Sequence, residues 1–112
     1  MGVNSQDIIA DAGGVTTGAV GSVTVGTTST AILAADATRQ YLKITNMADE
    51  LVYLNVAGGA AESAKGIPLG KAGTEAPGDS YTAKGKPAQL AVYGICASGA
   101  KAVAVQTLNT EL

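Results

Sequence analysis

The chain predicts an all-β fold, a small antiparallel β-sandwich or barrel of about seven or eight short strands with an extended N-terminal arm. Three observations carry this expectation. Period-two alternation of apolar and polar residues recurs along the 112 residues, most clearly at residues 41–46 and 52–56. Gly-rich turns separate these segments at roughly ten-residue spacing. No stretch sustains the 3.6-residue period of a long helix.

The length bounds one domain, and a chain of this size buries roughly 65% of its unfolded surface. The composition is unusual in its filling. Phe and Trp are absent, four tyrosines are the only aromatics, and Ala, Gly, Val and Thr do most of the packing. Small side chains bury little area each, at about 25 cal/mol per Å², so the domain is expected to gain firmness from copies of itself or from a partner.

Residues 1–21 form the expected arm, and residues 22–112 the β-sandwich domain. The arm is rich in Gly, Ala, Thr and Val, and its only side-chain charges are Asp7 and Asp11. Its helical potential at residues 7–12 is cut short by Gly13-Gly14. Two readings stand for it. One is a solvated tail. The other is an arm whose Val3, Ile8, Ile9 and Val15 dock on a neighbouring subunit, favoured by the low charge of the segment.

Residues 20–25 alternate Val23 and Val25 with Ser22 and Thr24 and read as a first strand, closed by a turn at Gly26-Thr27. Residues 29–34 read as a second. Its adjacent Ile32 and Leu33 predict a bulge or an edge position. Asp36 is placed to accept nearby backbone N–H groups. Residues 41–56 give the strongest signal, Tyr-Leu-Lys-Ile-Thr-Asn and Leu-Val-Tyr-Leu-Asn-Val around the polar Met-Ala-Asp-Glu, and predict a β-hairpin with one buried face. Arg39 just before it is expected to fix the turn by an ion pair or hydrogen bonds, or alternatively to contact a partner directly.

Residues 57–64 read as loop. Pro68, which has no N–H, sends residues 66–69 to a sheet edge. Residues 70–80 are loop, residues 80–83 a short strand, and Lys84-Gly85-Lys86-Pro87 a turn with a charged tip. In residues 88–97, Leu90, Val92 and Cys96 share one face of a strand, while Ala91, Tyr93, Ile95 and Ala97 share the other. A strand apolar on both faces is covered on both, so Ala91, Tyr93 and Ile95 form the candidate self-association face. Residues 101–108 close the domain with Val103 and Val105 inward, and residues 109–112 read as a tail.

The chemistry-bearing inventory argues against an enzyme. The chain has no histidine, which removes the usual general base near neutral pH and any Ser-His-Asp or Cys-His pairing. The lone Cys96 lies in an apolar strand and reads as a small core residue rather than a nucleophile. The scattered carboxylates, with Asp49-Glu50 as a solvated turn, match no metal-ligand spacing, so no metal and no cofactor are expected. Neither Gly13-Gly14 nor Gly58-Gly59 is followed by the Gly-Lys-Ser/Thr of a phosphate loop. The net charge of −2 and the absence of basic runs argue against direct nucleic-acid contact. No apolar run approaches the ~20 residues of a membrane helix, and no secretory signal is visible, so the expected place is the cytosol, unless the chain leaves as part of a larger particle.

From Thr28 onward the order of features resembles a family of small phage virion proteins of the decoration (cement) or head-fibre type. The shared cadence is Ser29-Thr30-Ala31-Ile32-Leu33-Ala34-Ala35, Arg39, Leu42-Lys43-Ile44-Thr45-Asn46, Val52-Tyr53-Leu54, Gly58-Gly59, Gly66-Ile67-Pro68-Leu69 and the Ala-Val-Tyr-Gly-Ile strand at 91–95. The resemblance implies a β-sandwich on the outer surface of a virion that binds and stabilises the major capsid protein lattice, often as a homotrimer, with no catalytic residues. The alternative is a tail or fibre-tip module binding host glycan, for which Tyr53 and Tyr81 would offer a stacking surface.

Overall fold

A computed structural model describes residues 15–111. Eight strands and one short 3-10 turn follow one another: β1 (Val15–Val25), β2 (Thr30–Leu33), β3 (Arg39–Asn46), β4 (Val52–Asn55), β5 (Ile67–Leu69), β6 (Ser80–Lys84), the 3-10 turn (Lys86–Gln89), β7 (Val92–Cys96) and β8 (Lys101–Glu111). They build two antiparallel four-stranded sheets, with orders β1-β8-β3-β6 (sheet A) and β2-β7-β4-β5 (sheet B). The chain changes sheet at every connection except β4–β5. This is jelly-roll topology, a double-sheet sandwich of eight strands. The all-β sandwich expected from the alternation is the fold found.

The alternation itself places the core. Leu42, Ile44, Val103 and Val105 point inward from sheet A, and Val52, Leu54, Val92 and Cys96 point inward from sheet B. Leu69, Ala83 and Ala88 close the same cluster. Gly94 lies in the middle of it. A Cβ there would stand 2.8 Å from Ile32 Cδ1, so the missing side chain is what admits Ile32 between the layers. Among the described residues, every buried apolar residue of this cluster falls between Val25 and Val105. The result is thin, measuring 52 × 32 × 17 Å.

Several local expectations hold. Ile32 sits at a register shift between Ala31 and Leu33. Pro68 lies in β5, an edge strand. Val103 and Val105 are inward, and Cys96 is a buried core residue, with Sγ 3.4 Å from the carbonyl oxygens of Val25 and Gly26.

Others are corrected. The hairpin expected over 41–56 does not exist. β3 pairs with β6 and β8, and β4 with β5 and β7, so the strongest alternating stretch is a corner between sheets. The buried Asn46 makes that corner. Its Oδ1 accepts from Ala48 N–H at 2.8 Å, and its Nδ2 donates to the carbonyls of Glu50, Leu69 and Gly70. A side chain that satisfies the turning backbone of two layers removes the need for direct strand pairing.

β1 begins at Val15, so residues 15–21, expected in the arm, are strand residues paired with β8 down to Val15↔Glu111. For the same reason residues 109–111 are strand, not tail. The two strands pair with each other along their full length. In 88–97 only Val92–Cys96 is strand. Pro87 fixes a 3-10 turn before it, and Leu90 is exposed rather than in the core.

Candidate functional site

Both ends of the sandwich are tied by polar side chains. At one end, Arg39 is 4% exposed, and its guanidinium donates to three carbonyls: Nε to Ala88, Nη1 to Ala34 and Nη2 to Leu90. It fixes the crossings into β3 and β7, as the turn-fixing reading expects, and points inward rather than toward a partner. Burial pulls its pKa down, and the nearby Asp36 carboxylate opposes that pull.

Asp36 caps its own turn. Its Oδ1 accepts from Thr38 N–H at 2.9 Å and from the Thr38 hydroxyl at 2.8 Å, and its Oδ2 accepts from Asn109 Nδ2 at 2.7 Å. The Thr38 bonds, backbone first, and then Asn109 hold its pKa below the usual carboxylate value.

At the other end, Glu50 accepts from Ser98 N–H at 2.7 Å and from the Ser98 hydroxyl at 2.8 Å, and Lys101 Nζ pairs with Asp49 at 2.7 Å. Glu50 is lowered chiefly by the Ser98 backbone N–H, and Asp49 chiefly by the Lys101 hydrogen bond, which in turn raises Lys101. Asp49-Glu50 is thus a clamp between two loops. Among the described residues no group of three or more His, Cys, Asp or Glu side chains is placed to hold a metal ion.

The surfaces between these ends differ sharply. The outer face of sheet A is charged, though Tyr41, Leu108 and Val20 also lie on it. It carries Lys43 between Thr82 and Gln106, Lys84 opposite Tyr41, and Thr45 bonded to Ser80 at 2.9 Å. The outer face of sheet B has no charge. Register sets Ala31, Tyr93 and Asn55 in one row across β2, β7 and β4, and Ile95, Tyr53 and Pro68 in another across β7, β4 and β5. Tyr93, Ile95 and the adjoining Ala91 are half-buried by the chain's own neighbours, because β7 is an inner strand. The structure therefore brings together the face that alternation picked out and adds Tyr53, Pro68 and Ala31 to it.

Tyr53 and Tyr81 do not share a surface. Tyr53 faces outward from sheet B, whereas Tyr81, opposite Ile44, packs against the core from sheet A. Val3, Ile8 and Ile9 lie outside the described residues, and Val15 opens β1. Lys84 and Lys86 are exposed beside Gly85, as a charged loop tip should be.

Asn46 and Asn109 were not singled out from sequence. The available signal was weak: an Asn ending a strand just before a polar turn, where its amide can bond its own backbone two residues on.

No family model and no curated protein matches the chain. Among solved structures, a protein of the Bacillus endospore appendages, which form disulfide-linked pili, is similar with a TM-score of 0.53 and 12% identity, over 88% of this chain and 89% of that one. At that identity the likeness is one of fold, and it places the chain among β-sandwiches.

Proposed function

We propose that the chain is a non-enzymatic structural protein of a phage particle, a capsid decoration (cement) protein that binds and stabilises the major capsid protein lattice. It self-associates, with a trimer favoured, through the outer face of sheet B around Ala91, Tyr93 and Ile95. The observation that carries this reading is the contrast in charge between the two outer faces, one uncharged with Tyr53 and Tyr93 and the other carrying Lys43 and Lys84. Interfaces are enriched in Tyr and depleted in Lys at their centres.

A thin sandwich filled with small residues is in keeping with stability gained from neighbours, since a lattice stabilises a bound folded subunit by mass action. Jelly rolls recur in viral capsid and lectin domains, although a fold alone does not assign a function. A pilus protein of similar fold fits the same theme of repeated assembly. Disulfide linkage through Cys96 does not, because that thiol is buried.

The test is occupancy on purified capsid shells by electron microscopy, with shell melting as a second readout. The full chain should decorate regular lattice positions and raise the melting temperature, and Ile95→Lys should lower both effects. A folded chain that leaves shells bare would refute the reading. A deletion probing the arm should stop at residue 14, since residue 15 onward belongs to β1.

A further inference from the structure

Sheets end in edges, and an unpaired edge is a template for another strand. Three of the four edges here are blunted. β5 carries Pro68, β6 ends in Lys84, and β2 is short and broken by a register shift. β1 has none of these devices. It runs from Val15 to Val25 without a charge or a proline, and Val20 is 80% exposed.

Beside it, among the described residues, the two layers do not close. Ala19, Gly21, Val23, Ile32, Leu33, Val105 and Thr107 are among the residues lining an apolar groove of about 200 Å³ between the β1–β8 ribbon and the edge of β2. Gly21 lies in this groove, and a Cβ built there meets nothing within 4 Å. The missing side chain leaves room there for a group from outside the described strands. On the opposite side of sheet A, Gly18 leaves its partner Leu108 38% exposed.

We infer that residues 1–14 of a second copy add as a strand to the edge of β1 that no described strand occupies. Ile8 and Ile9 then project to opposite sides of sheet A, one into the Gly21 groove and the other over Gly18 and Leu108. Period two dictates this split, because adjacent strand residues face opposite ways. The charge of the segment fits an uncharged edge: Asp7 and Asp11 are its only charged side chains. Its length fits too, since 14 extended residues reach about 46 Å, against a molecular width of 32 Å. The exchange is a heterologous contact, able to link copies in a ring or an array. It names a partner for the arm independently of whether a capsid lies beneath it.

The test uses the full chain bearing Ile95→Lys, which removes the outer-face contact of sheet B, with mass read by light scattering and fold by circular dichroism. That variant should still self-associate. Adding Gly21→Val, or Ile8→Asp with Ile9→Asp, should reduce its apparent mass at least about twofold, toward the monomer. The isoleucines precede β1 in the chain, and their replacement keeps the test valid if Gly21→Val fails to fold. A monomeric Ile95→Lys chain at all concentrations, as expected for an arm lying on its own β1, would overturn the inference. So would an assembly that neither set of changes reduces. Neither result bears on shell occupancy, which tests the capsid reading separately.

Discussion

Asn46 Nδ2 donates to the carbonyl oxygen of Leu69 at 2.9 Å, joining the last residue of β3 in sheet A to the last residue of β5 in sheet B. The same amide reaches Glu50 and Gly70, and its oxygen holds Ala48 N–H. One fully buried side chain therefore satisfies both sides of the corner. Asn46→Ala leaves these backbone groups unpaired and should cost about 3 kcal/mol. Asn46→Asp should cost more, because it turns a donor facing three carbonyls into an acceptor. Urea unfolding checks both, as a lower midpoint at unchanged slope.

Arg39 serves the opposite end with a different chemistry. Its planar fork addresses the carbonyls of Ala34, Ala88 and Leu90 at once. A single ammonium cannot reproduce that geometry, so Arg39→Lys should destabilise by about 2 kcal/mol, and Arg39→Met by about 3 kcal/mol through the unpaired carbonyls. Thermal unfolding of the two variants beside the parent chain measures the order. Equal stability of Arg39→Lys and the parent would contradict the role given to the fork.

The folded state lowers the pKa of Asp36, Asp49 and Glu50 alike. A carboxylate that is more acidic in the folded state contributes stability above its unfolded pKa and loses that contribution as pH falls through the folded value. Stability should therefore decline below about pH 4. Lys101 is raised, so its share is fully present below its unfolded pKa and is lost only as pH rises through the folded one, at strongly alkaline pH. Denaturant midpoints across the acid range, repeated with Glu50→Gln, check the sign: the variant should show a shallower acid decline.

Three glycines separate space from strain. At Gly66, φ is +84° and an added Cβ would lie 2.2 Å from the Leu54 carbonyl oxygen, so Gly66→Ala meets rigid backbone as well as left-handed strain. At Gly58, φ is +93° with open space around it, so Gly58→Ala should cost about 1 kcal/mol from conformation alone. Gly21 has neither constraint, and Gly21→Ala should be neutral or stabilising by about 0.5 kcal/mol, through reduced freedom of the unfolded chain. Melting temperatures should rank Gly21→Ala highest and Gly66→Ala lowest.

Local rules were enough for what a strand sees of itself. Which side of each strand is buried followed from alternation at Leu42, Ile44, Val92, Val103 and Val105. Ile32-Leu33 announced a bulge and Pro68 an edge, because each acts on its own backbone. The uncharged row Ala91, Tyr93 and Ile95 was legible for the same reason: period two assigns residues to faces without knowing what lies opposite.

Partners across space were not legible. The stretch 41–56 looks like a hairpin because hairpins and sheet-crossing corners share the same alternation around a polar turn. Only the Asn46 bonds to Leu69 and Gly70, far along the chain, decide between them. β1 paired with β8, the open groove at Gly21 and the separation of Tyr53 from Tyr81 likewise depend on contacts between residues distant in sequence. The sequence by itself determined which side of each strand is dry, since that follows from the chemistry of every second residue. The tertiary structure alone decided which strands meet, since pairing rests on backbone groups that are the same in every residue and carry no address.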